Sequence, residues 1–141
     1  MTSSAPFVPA AASFRPKTRP LRILYAEDVR ELRELMGHVV GADGHMLETC
    51  SNGLLACTHL RLVPFTYDLV ITDHHMPVMN GLELVEEIRR LPYPGRIIVF
   101  SSELSESVHE EYLALGVDRV LAKPVRPQEL RAVIAELFPT L

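Results

Sequence analysis

A chain of 141 residues with 48% hydrophobic and 23% charged side chains has the size of one domain and enough apolar material to build a core. Its net charge of −4 argues against a nucleic-acid-binding surface, which is ordinarily basic. No apolar run approaches the ~20 residues that span a bilayer, so no membrane role is expected.

Residues 1–20 differ from the rest. Pro6, Pro9, Pro16 and Pro20 stand among Ala, Ser and Thr with no acidic residue, and proline fixes φ while removing a donor. The stretch is predicted to be a disordered tail. Pro6 and Pro9 interrupt the Phe7-Val8 pair, which excludes a secretory signal core. Arg15, Lys17 and Arg19 give it a faint transit-peptide character, a reading ranked below the plain tail.

A single domain is predicted over 21–141, built on a regular alternation. Leu21–Ala26 reads as a strand. Leu32, Leu35, Met36, Val39 and Val40 then recur at helical spacing and predict a helix with one buried face, ended by Gly41 and Gly44. Met46–Cys50 is a weak strand, and a turn at Ser51-Asn52-Gly53 leads to a second helix running to about Leu62. Pro64 precedes the strong strand Tyr67–Thr72. Asn80-Gly81 opens a third helix carrying Leu82, Leu84, Val85 and Ile88, which Pro92, Pro94 and Gly95 separate from the strand Arg96–Phe100.

Ser105 is the expected N-cap of a fourth helix with Val108, Tyr112 and Leu115, closed by Gly116. The strand Arg119–Ala122 and a helix from Pro127 to Phe138 complete the series. Five βα units in succession imply an α/β fold with a parallel five-stranded sheet and helices on both faces, because such crossovers are right-handed. Cys50 and Cys57 have neither CxxC nor metal-ligand spacing and read as reduced thiols of a cytoplasmic protein.

Polar residues stand where the apolar runs stop: Glu27-Asp28, Asp73, Ser101 and Lys123. In an open parallel sheet the carboxyl ends of the strands form the ligand crevice. Three carboxylates, a hydroxyl and an ammonium are therefore delivered to one place, a set suited to a divalent cation and a phosphoryl group carried on an aspartate. Mg²⁺ takes one or two carboxylates together with waters and phosphate oxygens. Asp28 and Asp73 are the expected direct ligands, with Glu27 beside them. Lys123 holds a phosphoryl oxygen as a point charge, and the Ser101 hydroxyl donates to another. His74-His75 raise the alternative of a transition-metal site, but neighbouring side chains at a strand end diverge and the pair reads as loop. His38, His45, His59 and His109 are expected to be exposed and without a role.

In this order and at these strand ends, Glu27-Asp28, Asp73, Met76-Pro77, Gly81, Ser101 and Lys123-Pro124 resemble the receiver domain of two-component response regulators. The resemblance covers roughly Leu21 to Leu141. It implies a flavodoxin-like, doubly wound sheet of strand order 2-1-3-4-5, with Asp73 as phosphoacceptor. The same resemblance makes the backbone carbonyl of His75 a third protein ligand to Mg²⁺, and it implies that Glu27, longer than the aspartate usual at that position, acts through a water. A sensor histidine kinase or a histidine phosphotransfer protein is the implied donor, and self-phosphorylation with slow autodephosphorylation is the only implied catalysis, so the chain is not expected to be an enzyme in the turnover sense. Lys123-Pro124 is the candidate for a cis peptide.

One position departs from the family pattern. Val120 stands where the fifth strand usually carries Tyr or Phe, and a β-branched side chain cannot swing a ring between two packings.

With no residues after the last helix, output is expected through a partner protein, and a homodimer is left open. Two other readings are a receiver module of a hybrid histidine kinase and a phosphorylation-independent scaffold. A flavodoxin-like cofactor binder is disfavoured, because its phosphate loop would want Ser, Thr and Gly where Glu27-Asp28 stand.

Overall fold

A computed structural model describes residues 19–103 and 105–139. The disordered tail expected over 1–20 therefore falls almost wholly outside the described residues. Ten elements alternate: β1 (Arg22–Ala26), α1 (Arg30–Ala42), β2 (Met46–Cys50), α2 (Gly53–Leu62), β3 (Leu69–Asp73), α3 (Gly81–Ile88), β4 (Arg96–Ser101), α4 (Glu106–Ala114), β5 (Arg119–Ala122) and α5 (Pro127–Leu137). The strands form one parallel sheet in the order β2-β1-β3-β4-β5. The fold expected from the alternation is the fold observed.

A side chain or ring serves the first turn of α2, α3, α4 and α5, whereas α1 follows Val29 without a side-chain cap. Asn52 accepts from Leu55 N at 2.9 Å, and Asn80 with Glu83 closes a reciprocal capping box at 2.8 and 3.0 Å. Ser105 accepts from Val108 N at 3.4 Å, as its position predicted. Pro127 opens α5, where its missing N–H removes no helical bond.

Side chains alternate across a strand with period two, so the sheet divides the core into two layers. Ile23, Tyr25, Leu69, Ile71, Ile98, Phe100 and Leu121 pack with α1 and α5. Leu24, Ala26, Val70, Ile97 and Val99 pack with α2, α3 and Tyr112 of α4. The stripe of α1 is narrower than its spacing predicts. Met36 and Val40 are buried, Leu32 and Val39 half-buried, and Leu35 is 57% exposed. Leu35 instead lines an apolar groove of about 410 Å³ together with Val125, Pro127 and Leu130.

His45, expected to be exposed, is buried, and its Nδ1 accepts from the backbone N–H of Leu21 at 3.0 Å. That acceptor role requires a neutral ring. Burial pushes the imidazole below its usual value, against the charges of Asp43 and Asp68. The unfolded chain takes up this proton below pH ~6.5 while the folded chain resists it. The contribution of His45 is therefore complete above that pH and is lost as pH falls toward the lowered folded value. Urea unfolding of wild type should show a greater loss of stability between pH 7.5 and 5 than His45→Asn shows. Equal pH slopes would remove the role assigned to this ring.

Candidate functional site

Register sets the site. Ala26 is level with Cys50 and Thr72, Asp73 with Phe100, and Ser101 with Ala122. The residues that end β1, β3, β4 and β5 therefore emerge at one height along one edge. Backbone bonds fix the next step: Glu27 N donates to Cys50 O at 2.9 Å and Lys123 N to Ser101 O at 3.0 Å. Asp73 and Ser101 are the last residues of β3 and β4, so both strands run one residue further than their apolar runs indicate.

Glu27, Asp28 and Asp73 each bring a carboxylate oxygen to within 4.8 Å of the others. Glu27 and Asp73 are buried, at 1% and 3% exposure, while Asp28 opens to solvent. Lys123 reaches across from β5, and its Nζ donates to Asp73 Oδ1 at 2.6 Å. Burial alone would lower the Lys123 value, but the hydrogen bond and charge of Asp73, with Glu27 and Asp28 behind it, raise it. The ammonium is thus held charged beside the aspartate. The Lys123-Pro124 peptide is cis.

Glu27 differs from the other two carboxylates. Burial raises its value and the charge of Asp73 adds to this, against the Val29 N–H and Lys123. Both of its oxygens already have donors: Tyr25 Oη at 3.2 Å on Oε1 and Val29 N at 3.1 Å on Oε2. Each oxygen thus spends one lone pair on a fixed donor, which leaves this carboxylate less free than that of Asp28 to turn toward an ion. Tyr25 lies two residues before Glu27, on the same face of the strand, and that period is the only trace of this contact in the sequence.

The Ser101 hydroxyl is engaged locally. It accepts from Glu103 N at 2.9 Å and donates to Glu103 O at 3.1 Å. Glu103 Oε1 in turn accepts from Ser105 N at 3.0 Å, immediately before α4. Any new acceptor for the Ser101 hydroxyl must displace the carbonyl of Glu103. Lys123 and Ser101 therefore stand at neighbouring strand ends in different states, the ammonium turned onto Asp73 and the hydroxyl turned into its loop.

The loop after β3 carries the remaining expected residues. His75 and Asp28 line one shallow depression with Met76, Pro77 and Asn80. The imidazole of His74 is buried, with its Nδ1 hydrogen-bonded to the hydroxyl of Tyr112, yet its ring meets that of His75 edge to face with centroids 4.7 Å apart, so the two side chains do not diverge as expected. With Nδ1 of His74 taken by Tyr112 and neither histidine in a metal-capable group among the described residues, the pair does not form a metal site. Gly81 is needed by the site's geometry: a Cβ there would lie 2.6 Å from Asp73 O and 3.0 Å from His74 Cα. Val78 adopts φ 71°, the left-handed region a β-branched residue rarely enters.

A cluster of hard oxygen donors with an adjacent ammonium can hold a divalent cation and, beside it, an anion with oxygen ligands. No helix among the described residues is long and apolar enough to cross a membrane.

Residues 23–135 match the family model described as the response regulator receiver domain. The chain is 34% identical over 124 residues to the sensor histidine kinase AruS of Pseudomonas aeruginosa, covering 83% of this chain and 12% of that protein. It is 35% identical over 118 residues to the transcriptional regulatory protein CpxR homolog of Haemophilus influenzae, covering 83% of this chain and 50% of that one. It is thus much shorter than either relative. Among solved structures, the Vibrio cholerae chemotaxis protein CheY4 superposes with a TM-score of 0.77 at 25% identity, covering 85% of this chain and 100% of that one.

Proposed function

Because this chain belongs to the response regulator receiver domain family of two-component systems, we propose that it accepts a phosphoryl group on Asp73 from a phosphohistidine. The observation that carries this reading is the buried Asp73 carboxylate, bound on one oxygen by Lys123 at 2.6 Å and set within a trio of carboxylates. In the transfer, an Asp73 oxygen forms a bond to phosphorus as the bond from phosphorus to the donor's imidazole nitrogen breaks. The imidazole leaves with the electron pair and takes a proton from solvent.

Lys123 then moves its hydrogen bond from the carboxylate to a phosphoryl oxygen, and Ser101 turns from Glu103 to a second. Such transfers depend on in-line positioning and on neutralising the equatorial oxygens. Mg²⁺, when bound, supplies that neutralisation. Asp28 and Asp73 would hold it directly, the carbonyl of His75 would complete the protein ligands, and Glu27 would contact it through water. The receiver acts on itself and returns to its starting state by slow hydrolysis, so it is a switch and not an enzyme with an external product. Its phosphodonor is a histidine kinase or phosphotransfer protein, in keeping with the relatives named as kinases, and its output is a changed surface for a protein partner.

Incubation with Mg²⁺ and acetyl phosphate, followed by mapping of the modified residue, tests the reading. One phosphoryl group per chain on Asp73 supports it; modification at Ser101, or none, overturns it. The metal assignment is tested separately by calorimetric titration. Asp28→Ala should weaken Mg²⁺ binding by tenfold or more, about 1.4 kcal/mol. Glu27→Gln should weaken it by less, because both Glu27 oxygens are already engaged by Tyr25 and Val29. The reverse order would put Glu27 in direct contact with the ion.

The match to 12% of a sensor histidine kinase favours a second reading, in which this receiver is one module of a longer kinase. The apparent mass of the native protein separates the two.

A further inference from the structure

The residue after Asp73 is tied to three other elements. His74 N donates to Phe100 O of β4 at 2.9 Å, and His74 O accepts from Gly81 N, the first residue of α3, at 2.9 Å. Its ring meets Tyr112 of α4 edge to face, with centroids 5.5 Å apart and planes at 78°, and Nδ1 bonds the Tyr112 hydroxyl. Tyr112 is wholly buried, and a buried hydroxyl needs a partner. The missing side chain at Gly81 makes room for this contact, since a Cβ there would lie 2.8 Å from the Tyr112 oxygen.

Helix α4 is consequently fastened to the site at two separate points. Its N-terminus is held through Ser105, Glu103 and Ser101. Its middle is held through Tyr112 and His74, directly beside Asp73. Strand β5, read Arg119-Val120-Leu121-Ala122, offers no aromatic side chain to either connection.

We propose that Tyr112, through its hydrogen bond to His74, is a positioning residue that couples the state of Asp73 to the middle of α4, in the absence of an aromatic residue at position 120. This rests on the reading of Asp73 as phosphoacceptor. A phosphoryl group can bias α4 only through contacts that differ between its two packings. Ser101 provides such a contact for the first turn of the helix. The His74–Tyr112 bond provides it for residues 110–115, because any displacement of the backbone at 73–74 moves the group to which that part of the helix is attached. The two connections are separable, since each ends on a different turn.

The test uses the whole protein with Mg²⁺ and beryllofluoride, an acyl phosphate mimic. ¹⁹F NMR reads occupancy of Asp73, and amide shifts read α4. Tyr112→Phe keeps the ring and removes only the hydroxyl. It should bind beryllofluoride as wild type does, keep the shifts at 105–109, and lose more than half of those at 110–115. His74→Leu, which removes the other partner, should give the same pattern. Unchanged shifts at 110–115 in Tyr112→Phe, with beryllofluoride bound, would overturn the coupling while leaving the phosphoacceptor reading in place. Failure of wild type to bind beryllofluoride would overturn both.

Discussion

Asp73→Asn will take no phosphoryl label from acetyl phosphate and Mg²⁺, a loss of at least a hundredfold, and its metal-free form will melt a few degrees above wild type. The first effect follows from chemistry: an amide oxygen cannot displace a leaving group from phosphorus as a carboxylate does. The second follows from crowding. Three carboxylates lie within 4.8 Å of one another, two of them buried, with the single ammonium of Lys123 in contact. Like charges at that distance repel by roughly 3 kcal/mol per pair at an effective dielectric of about 20, before screening of the exposed Asp28. The Lys123 ammonium, 2.6 Å from Asp73, offsets most of the two repulsions on Asp73 with roughly 6 kcal/mol of attraction. Asparagine removes Asp73 from the repulsion yet still offers Lys123 an acceptor. A net gain of about 1 kcal/mol would raise the melting temperature by about 4 °C. Mg²⁺ should then stabilise the variant less than wild type. Label on Asp73→Asn would place the acceptor elsewhere. A metal-free variant that melts below wild type would mean that the pairing with Lys123 outweighs the crowding.

Gly81→Ala is expected to destabilise the protein by about 2–3 kcal/mol and to slow phosphorylation tenfold or more. The added methyl would meet Asp73 O at 2.6 Å, the Tyr112 hydroxyl at 2.8 Å and His74 Cα at 3.0 Å. Two of these three are backbone atoms of the strand end that carries the acceptor. Relief of the clash must therefore move either α3 or Asp73 itself, and in-line attack tolerates little displacement. Gly41→Ala is the control, because nothing lies within 4 Å of a Cβ there and the residue is inside α1. It should stabilise by up to about 1 kcal/mol through helix propensity. Urea unfolding and the rate of acetyl phosphate labelling check both variants. A Gly81→Ala protein as stable and as reactive as wild type would show that α3 can retreat without disturbing the site.

The sequence by itself determined the order and type of every element, because apolar runs of strand length and helical spacings alternate with Gly, Pro, Asn or Ser at every boundary but the one between β1 and α1. It also identified Asp28, Asp73, Ser101 and Lys123 as strand-end residues, since a polar side chain that stops a buried run in a parallel sheet has only the crevice to enter. Periodicity, however, reports only which face of an element is buried, and not the group it meets there. The bonds from Tyr25 and Val29 that hold Glu27 back, the turn of Ser101 into Glu103, and the burial of His45 against Leu21 N were decided by tertiary structure. So was the exposure of Leu35, because the width of the gap between α1 and α5 is set by how two distant helices pack. His74 and Tyr112 stand 38 residues apart, and their meeting depends on the register of β3 with β4, on the absence of a side chain at Gly81 and on the seating of α4. Each of these is a relation between elements, fixed only when the whole sheet and its helices close on one another.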